Sequence, residues 1–146
     1  MAPYRRILHA TDFSSSALPA LRQAVALARR WRARVILLHV MTPPSPFVSE
    51  GIPPSSYDEL LAHARRATKR HLAALLSRVR RKGVQASAVL AEGLPAEEVL
   101  RTARRQRADL LVLGTHGRTG LRRALMGSVA ARVMSQARCP VLTVRP

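Results

Sequence analysis

Five short apolar runs, separated by longer stretches with helical spacing, constrain this chain more than any other feature. Arg5 to Ala10, Val35 to Val40, Val84 to Leu90, Leu110 to Leu113 and Pro140 to Val144 read as strands. Ser14 to Trp31 reads as a helix with Ala17, Leu21, Ala24, Val25 and Ala28 on one face, and Ser14 or Ser15 can cap it. Ser56 to Lys82 is the longest helix, with Leu61, Ala64, Thr68, Leu72, Leu75, Leu76 and Val79 sharing a face and Gly83 ending it as a C-cap. Pro95 opens a short helix at its favoured first position, and Ser128 to Ala137 forms the last one. Such alternation implies right-handed crossovers and one parallel sheet. The Val84 strand alternates Val84, Ala86 and Ala88 against Gln85 and Ser87, as a half-buried edge strand does. The expected class is therefore α/β: an open parallel five-stranded sheet in the order 3-2-1-4-5 with helices on both faces. At 146 residues the chain is expected to be one domain, 1–146. Thr42 to Ser56 holds Pro43, Pro44, Pro46, Pro53 and Pro54, which predicts a lid or contact loop.

That strand order makes strands one and four neighbours, and ligands of such sheets bind beyond the carboxyl ends at the point where the order reverses. Asp12, just past strand one, then meets Gly114, at the end of strand four. From Gly114 the chain reads G-x2-G-x9-G-S, through Gly117 to Gly127 and Ser128. It is neither G-x-x-x-x-G-K-[ST] nor G-x-G-x-x-G. Glycines let backbone N–H groups approach a phosphate, and the helix that follows adds free donors and the positive end of its dipole. The plain alternative is a loop whose glycines only serve tight turns. Ser128 can cap its helix or donate to a phosphate oxygen. Asp12 can cap the first helix, or bind a ribose hydroxyl or a metal carried by phosphates.

A net charge of +17, nearly all from arginine, attracts polyanions. The arginines are dispersed over apparent helix faces and aromatic residues make up only 3%, so a stacking platform is missing and a nucleic-acid partner is disfavoured. Cys139 alone cannot form an internal disulfide; before Pro140 it reads as a structural thiol, and with no signal peptide the expected compartment is the cytoplasm. No apolar run approaches the ~20 residues that span a membrane. His9 and His39 sit in strands and read as packing histidines. His63 and His71 lack further ligands at metal spacing. No catalytic constellation assembles, since Asp12 and Asp109 fall at opposite strand ends.

The G-x2-G-x9-G-S loop, with Ile7-Leu-His-Ala-Thr-Asp12-Phe-Ser, Val35-Ile-Leu-Leu-His39-Val40 and Cys139-Pro140-Val-Leu-Thr-Val144, resembles the universal stress protein family in its ATP-binding branch. The match runs from about Tyr4 to Val144. The resemblance implies a Rossmann-like fold of the adenine nucleotide alpha hydrolase type and a regulatory, stress-response role. It implies that ATP, or ADP or AMP, binds with Mg or Mn, that Asp12 touches the ligand, and that Ala10, Val40 and Leu113 contact adenine. Gly114 and Gly117 would lie near ribose and α-phosphate, and Gly127, Ser128 and Val129 at the outer phosphates. His116 follows the loop pattern; Arg118, Arg122 and Arg123 can reach phosphates or face solvent. A homodimer through the last strand (Val141, Leu142, Val144) and an unidentified protein partner complete what the resemblance implies. The alternatives are a slow ATP hydrolase or nucleotidyl-transfer enzyme, and a basic nucleic-acid-associated protein.

Overall fold

The computed structural model describes residues 3–43, 51, 53–117 and 126–146. Its strands are β1 (Arg6–Ala10), β2 (Arg34–Met41), β3 (Ala86–Glu92), β4 (Leu110–Gly114) and β5 (Val141–Val144). Its helices are α1 (Leu18–Trp31), α2 (Pro54–Arg80), α3 (Pro95–Arg105) and α4 (Ser128–Gln136). All strands are parallel and run β3-β2-β1-β4-β5 across the sheet, the expected order. Residues 44–50 and 52 of the proline-rich loop, and so its expected lid role, lie outside the described residues.

Strand alternation sends two sets of side chains to opposite faces. Ile7, Val35, Leu37, Leu110 and Val112 pack beneath α1 and α2. Leu8, Ile36, Leu38, Leu111 and Leu113 pack beneath α3 and α4. The stripe of α1 (Leu21, Ala24, Val25 and Ala28) is buried as its spacing requires. In α2 only the C-terminal half reaches the core: Leu72, Leu75 and Val79 are buried, while Leu61, Ala64 and Thr68 are half-buried.

Two helix starts differ from expectation. The first helix opens as a 3-10 turn, Ser15–Ala17, before α1 begins at Leu18. Pro19 has no N–H to give to the Ser15 carbonyl, so the turn closes one residue earlier, by Leu18 N–H to Ser15 O. Ser14 makes no capping bond. The long helix starts at Pro54, with Pro53 as its N-cap, rather than at Ser56, and it ends at Arg80. Gly83 follows with φ +76°, its N–H on Arg80 O at 2.9 Å. At the amino edge of the sheet, Asp109 accepts the backbone N–H groups of Arg5 and Arg6, each at 2.9 Å, and joins β1 to β4. Among the described residues no helix is long and apolar enough to cross a membrane.

Candidate functional site

The carboxyl ends of β1 and β4 meet as the strand order requires. Asp12 Oδ1 accepts the N–H of Ser14 at 2.9 Å and also its hydroxyl. This fixes the turn that leaves β1. On the other side, a Cβ placed on Gly117 would lie 3.5 Å from Asp12 Oδ2, so only a glycine leaves the space between loop and carboxylate open. Gly114 lies against the 3-10 turn: a Cβ there would stand 3.3 Å from Ser16 O. These two glycines allow backbone to approach backbone and carboxylate.

Phe13 holds this turn, and the sequence carried no sign of it. Its φ is +62°, a conformation that costs a bulky residue roughly 1–3 kcal/mol. His39 stacks on its ring at 4.4 Å and 26°, and His71 of α2 meets the ring edge at 5.8 Å. Its N–H donates to Thr11 Oγ1 at 3.1 Å, and His39 Nδ1 lies 2.8 Å from Thr11 O. Two strands and a helix thus over-determine one strained residue beside Asp12.

The second half of the site is the amino end of α4. Gly127 is its N-cap, in an extended conformation with φ −61° and ψ 149°, and Ser128 is its first helical residue. Ser128 therefore does not cap the helix. Gly127 donates its own N–H to Thr115 O at 2.7 Å. In this structure that N–H is engaged by the Thr115 carbonyl, whereas the loop pattern implies a phosphate for it. The role of Gly127 is close approach: a Cβ there would stand 3.1 Å from Thr115 O and 3.7 Å from His116 Cα. Thr115 N–H in turn donates to Val144 O at 3.0 Å, tying the end of α4 to β4 and β5. The first helical bond is Ala131 N–H to Gly127 O. The N–H groups of Ser128, Val129 and Ala130 have no backbone partner among the described residues, and with the helix dipole they form an anion-accepting end.

Ala10, Val40 and Val129 pack with buried Leu113 in one cluster on the α3–α4 face, at the carboxyl ends of their strands and the start of α4. His116 Nδ1 is 2.8 Å from Thr115 Oγ1, and its Nε2 is buried without a hydrogen-bond partner among the described residues. Arg118, Arg122 and Arg123 lie outside the described residues. Thr11, Phe13 and Thr115 shape the site and were missed; only Thr115, inside the glycine spacing, carried any signal.

His9 lies below this cleft, wholly buried, with Nδ1 3.0 Å from Val112 O. A carbonyl only accepts, so Nδ1 carries the proton and the neutral ring leaves Nε2 bare. Burial lowers its pKa from 6.5 to about 4, against the smaller opposing pull of the Val112 carbonyl and of Asp12.

Fold and site together define an open parallel α/β protein with a helix amino terminus and an aspartate at its switch point. The sequence profile of the universal stress protein family matches residues 3–145, and the chain belongs to that family. Universal stress protein MJ0531 of Methanocaldococcus jannaschii is 36% identical over 97% of this chain and 82% of its own length. The solved structure of protein MJ0577, from the same organism, is 29% identical, covers 98% of this chain and 96% of its own, and superposes with a TM-score of 0.84. A universal stress protein of Archaeoglobus fulgidus, solved in complex with dAMP, is 26% identical over 99% of this chain and 100% of its own, with a TM-score of 0.68.

Proposed function

We propose that this chain binds an adenine nucleotide (ATP, ADP or AMP) at the carboxyl end of its sheet, as a cytoplasmic regulatory protein of the stress response acting as one domain, 1–146. The observation that carries the reading is the amino end of α4, where three N–H donors have no backbone partner among the described residues, with Gly117 and Asp12 close by. Ser128, Val129 and Ala130 N–H and the Ser128 hydroxyl take phosphate oxygens. Gly114 and Gly117 leave room for ribose and α-phosphate, and Ala10, Val40 and Leu113 offer the apolar contact for adenine. The relative bound to dAMP supports an adenine ligand.

Asp12 decides what else must bind. A carboxylate beside phosphates repels them unless it holds ribose hydroxyls or a divalent ion lies between. Among the described residues no three His, Cys, Asp or Glu side chains gather to hold an ion. Mg²⁺ or Mn²⁺ would therefore arrive with the nucleotide, completed by phosphate oxygens and water. Titrating Mg·ATP into nucleotide-free protein should give saturable heat at one site, with GTP and inorganic triphosphate at least about tenfold weaker. Equal binding of all three would transfer the effect to the arginine surface and remove the adenine pocket.

The proposed assembly is a homodimer through β5. This strand is a sheet edge, and Leu142 is 36% exposed on it. Open apolar edges invite pairing, and a twofold partner closes this one. Light scattering at micromolar concentration should give a dimer mass for the native chain and a monomer mass for folded Leu142→Asp. A native monomer overturns the assembly.

A further inference from the structure

A solvent-open pocket of about 110 Å³ lies at the opposite end of the sheet from the Asp12 cleft, where α3 and α4 terminate and β5 begins. Its floor is apolar: Leu100 and Ala103 of α3 and Leu111 of β4 line it, and all three are buried. Arg104, Arg107 and Arg138 line it as well. None of these three arginines forms an ion pair among the described residues. Asp109, the acid nearest in sequence, has its two oxygens on the N–H groups of Arg5 and Arg6. Helix C-termini attract arginine by themselves. They do not account for an apolar floor between exposed arginines that come from both α3 and the end of α4.

We propose that this hollow is a second binding site, for a short-chain aliphatic carboxylate whose tail rests on Leu100, Ala103 and Leu111 and whose carboxylate is held by the arginines. A guanidinium is a planar fork of donors that matches two carboxylate oxygens. The pocket is open to solvent on one side, and its volume of about 110 Å³ covers a tail of about three or four carbons, since roughly 150 Å³ takes benzene. Cys139 adds a neutral wall, since burial, with Asp109 nearby, pushes its thiol upward and away from the reactive thiolate. The site is independent of the nucleotide reading.

The test is a titration of isotope-labelled full-length protein with sodium butanoate at constant ionic strength, followed by amide and methyl shifts. Saturable shifts centred on Leu100, Ala103, Leu111 and Cys139 are expected. Butanol, titrated into the same native protein, should bind at least about tenfold more weakly, because it lacks the charge. Ala103→Leu, which fills the floor, should abolish the saturable shifts, and Arg138→Gln should weaken them severalfold. Shifts that rise linearly and match those of sodium chloride overturn the site. Butanol binding as well as butanoate removes the arginines from it, and unchanged saturable shifts in folded Ala103→Leu remove the pocket. The butanol comparison needs no variant to fold.

Discussion

Ser128→Pro is expected to leave α4 folded and to weaken nucleotide binding about a hundredfold or more. Proline suits the first helical position, where its missing N–H breaks no helical bond. It also demands an extended preceding residue, and Gly127 already has φ −61° and ψ 149°. The substitution therefore removes one backbone donor and one hydroxyl while sparing the helix. A hydrogen bond to a charged group contributes about 1.5–3 kcal/mol and a hydroxyl about 1, a combined loss of roughly 3 kcal/mol. Ser128→Ala keeps the N–H and should lose only about 1 kcal/mol. The difference between the two variants, read by calorimetric titration with melting curves to confirm folding, isolates the backbone donor. Equal affinities would remove the Ser128 N–H from the site. Gly127→Val is the blunter variant, because its side chain would press on Thr115 O and displace the helix end as well as the ligand.

Acid should destabilise the fold through His9. Its folded pKa, about 4, lies below the unfolded value of 6.5, so between these limits the unfolded chain binds the extra proton. Stability is full above about pH 6.5, falls as pH drops, and levels off below about pH 4. From pH 7.5 to 5 this one group should remove on the order of 2 kcal/mol. His9→Asn can still donate to Val112 O and does not titrate. Urea midpoints at the two pH values should therefore fall clearly further for the native protein than for the variant. An equal fall in both would assign the acid sensitivity to other groups.

Periodicity made the sheet order and both faces of the sheet legible, because burial leaves a pattern in side-chain type. That Asp12, past β1, comes to the end of β4 at Gly114 follows from that order alone; its closeness to Gly117 does not. Three matters left no such trace. The left-handed Phe13 is set by His39 and His71, far away in sequence, and nothing in Asp-Phe-Ser announces it. The half-buried positions Leu61, Ala64 and Thr68 of α2 carry the same apolar spacing as its buried Leu72, Leu75 and Val79. At Gly127 a glycine reads alike whether its N–H serves a phosphate or a neighbouring carbonyl. Only the coordinates show that Thr115 O has taken it.

The position of β1 has a consequence for the chain during synthesis. This first strand lies in the middle of the sheet, flanked by β2 and β4. The clamp that seats it on β4, Asp109 with Arg5 and Arg6, spans 103 and 104 residues. A nascent chain that has completed β3 can assemble β3-β2-β1, but one side of β1 stays open until β4 leaves the ribosome. At about 5–20 residues per second, the eighteen residues from Gly93 to Leu110 take one to a few seconds to add. During that interval a strand carrying Ile7 and Leu8 offers an unpaired edge, the kind of edge that joins chains to one another. Chaperone dependence and aggregation of truncated chains should therefore be greatest for products ending between residues 93 and 110.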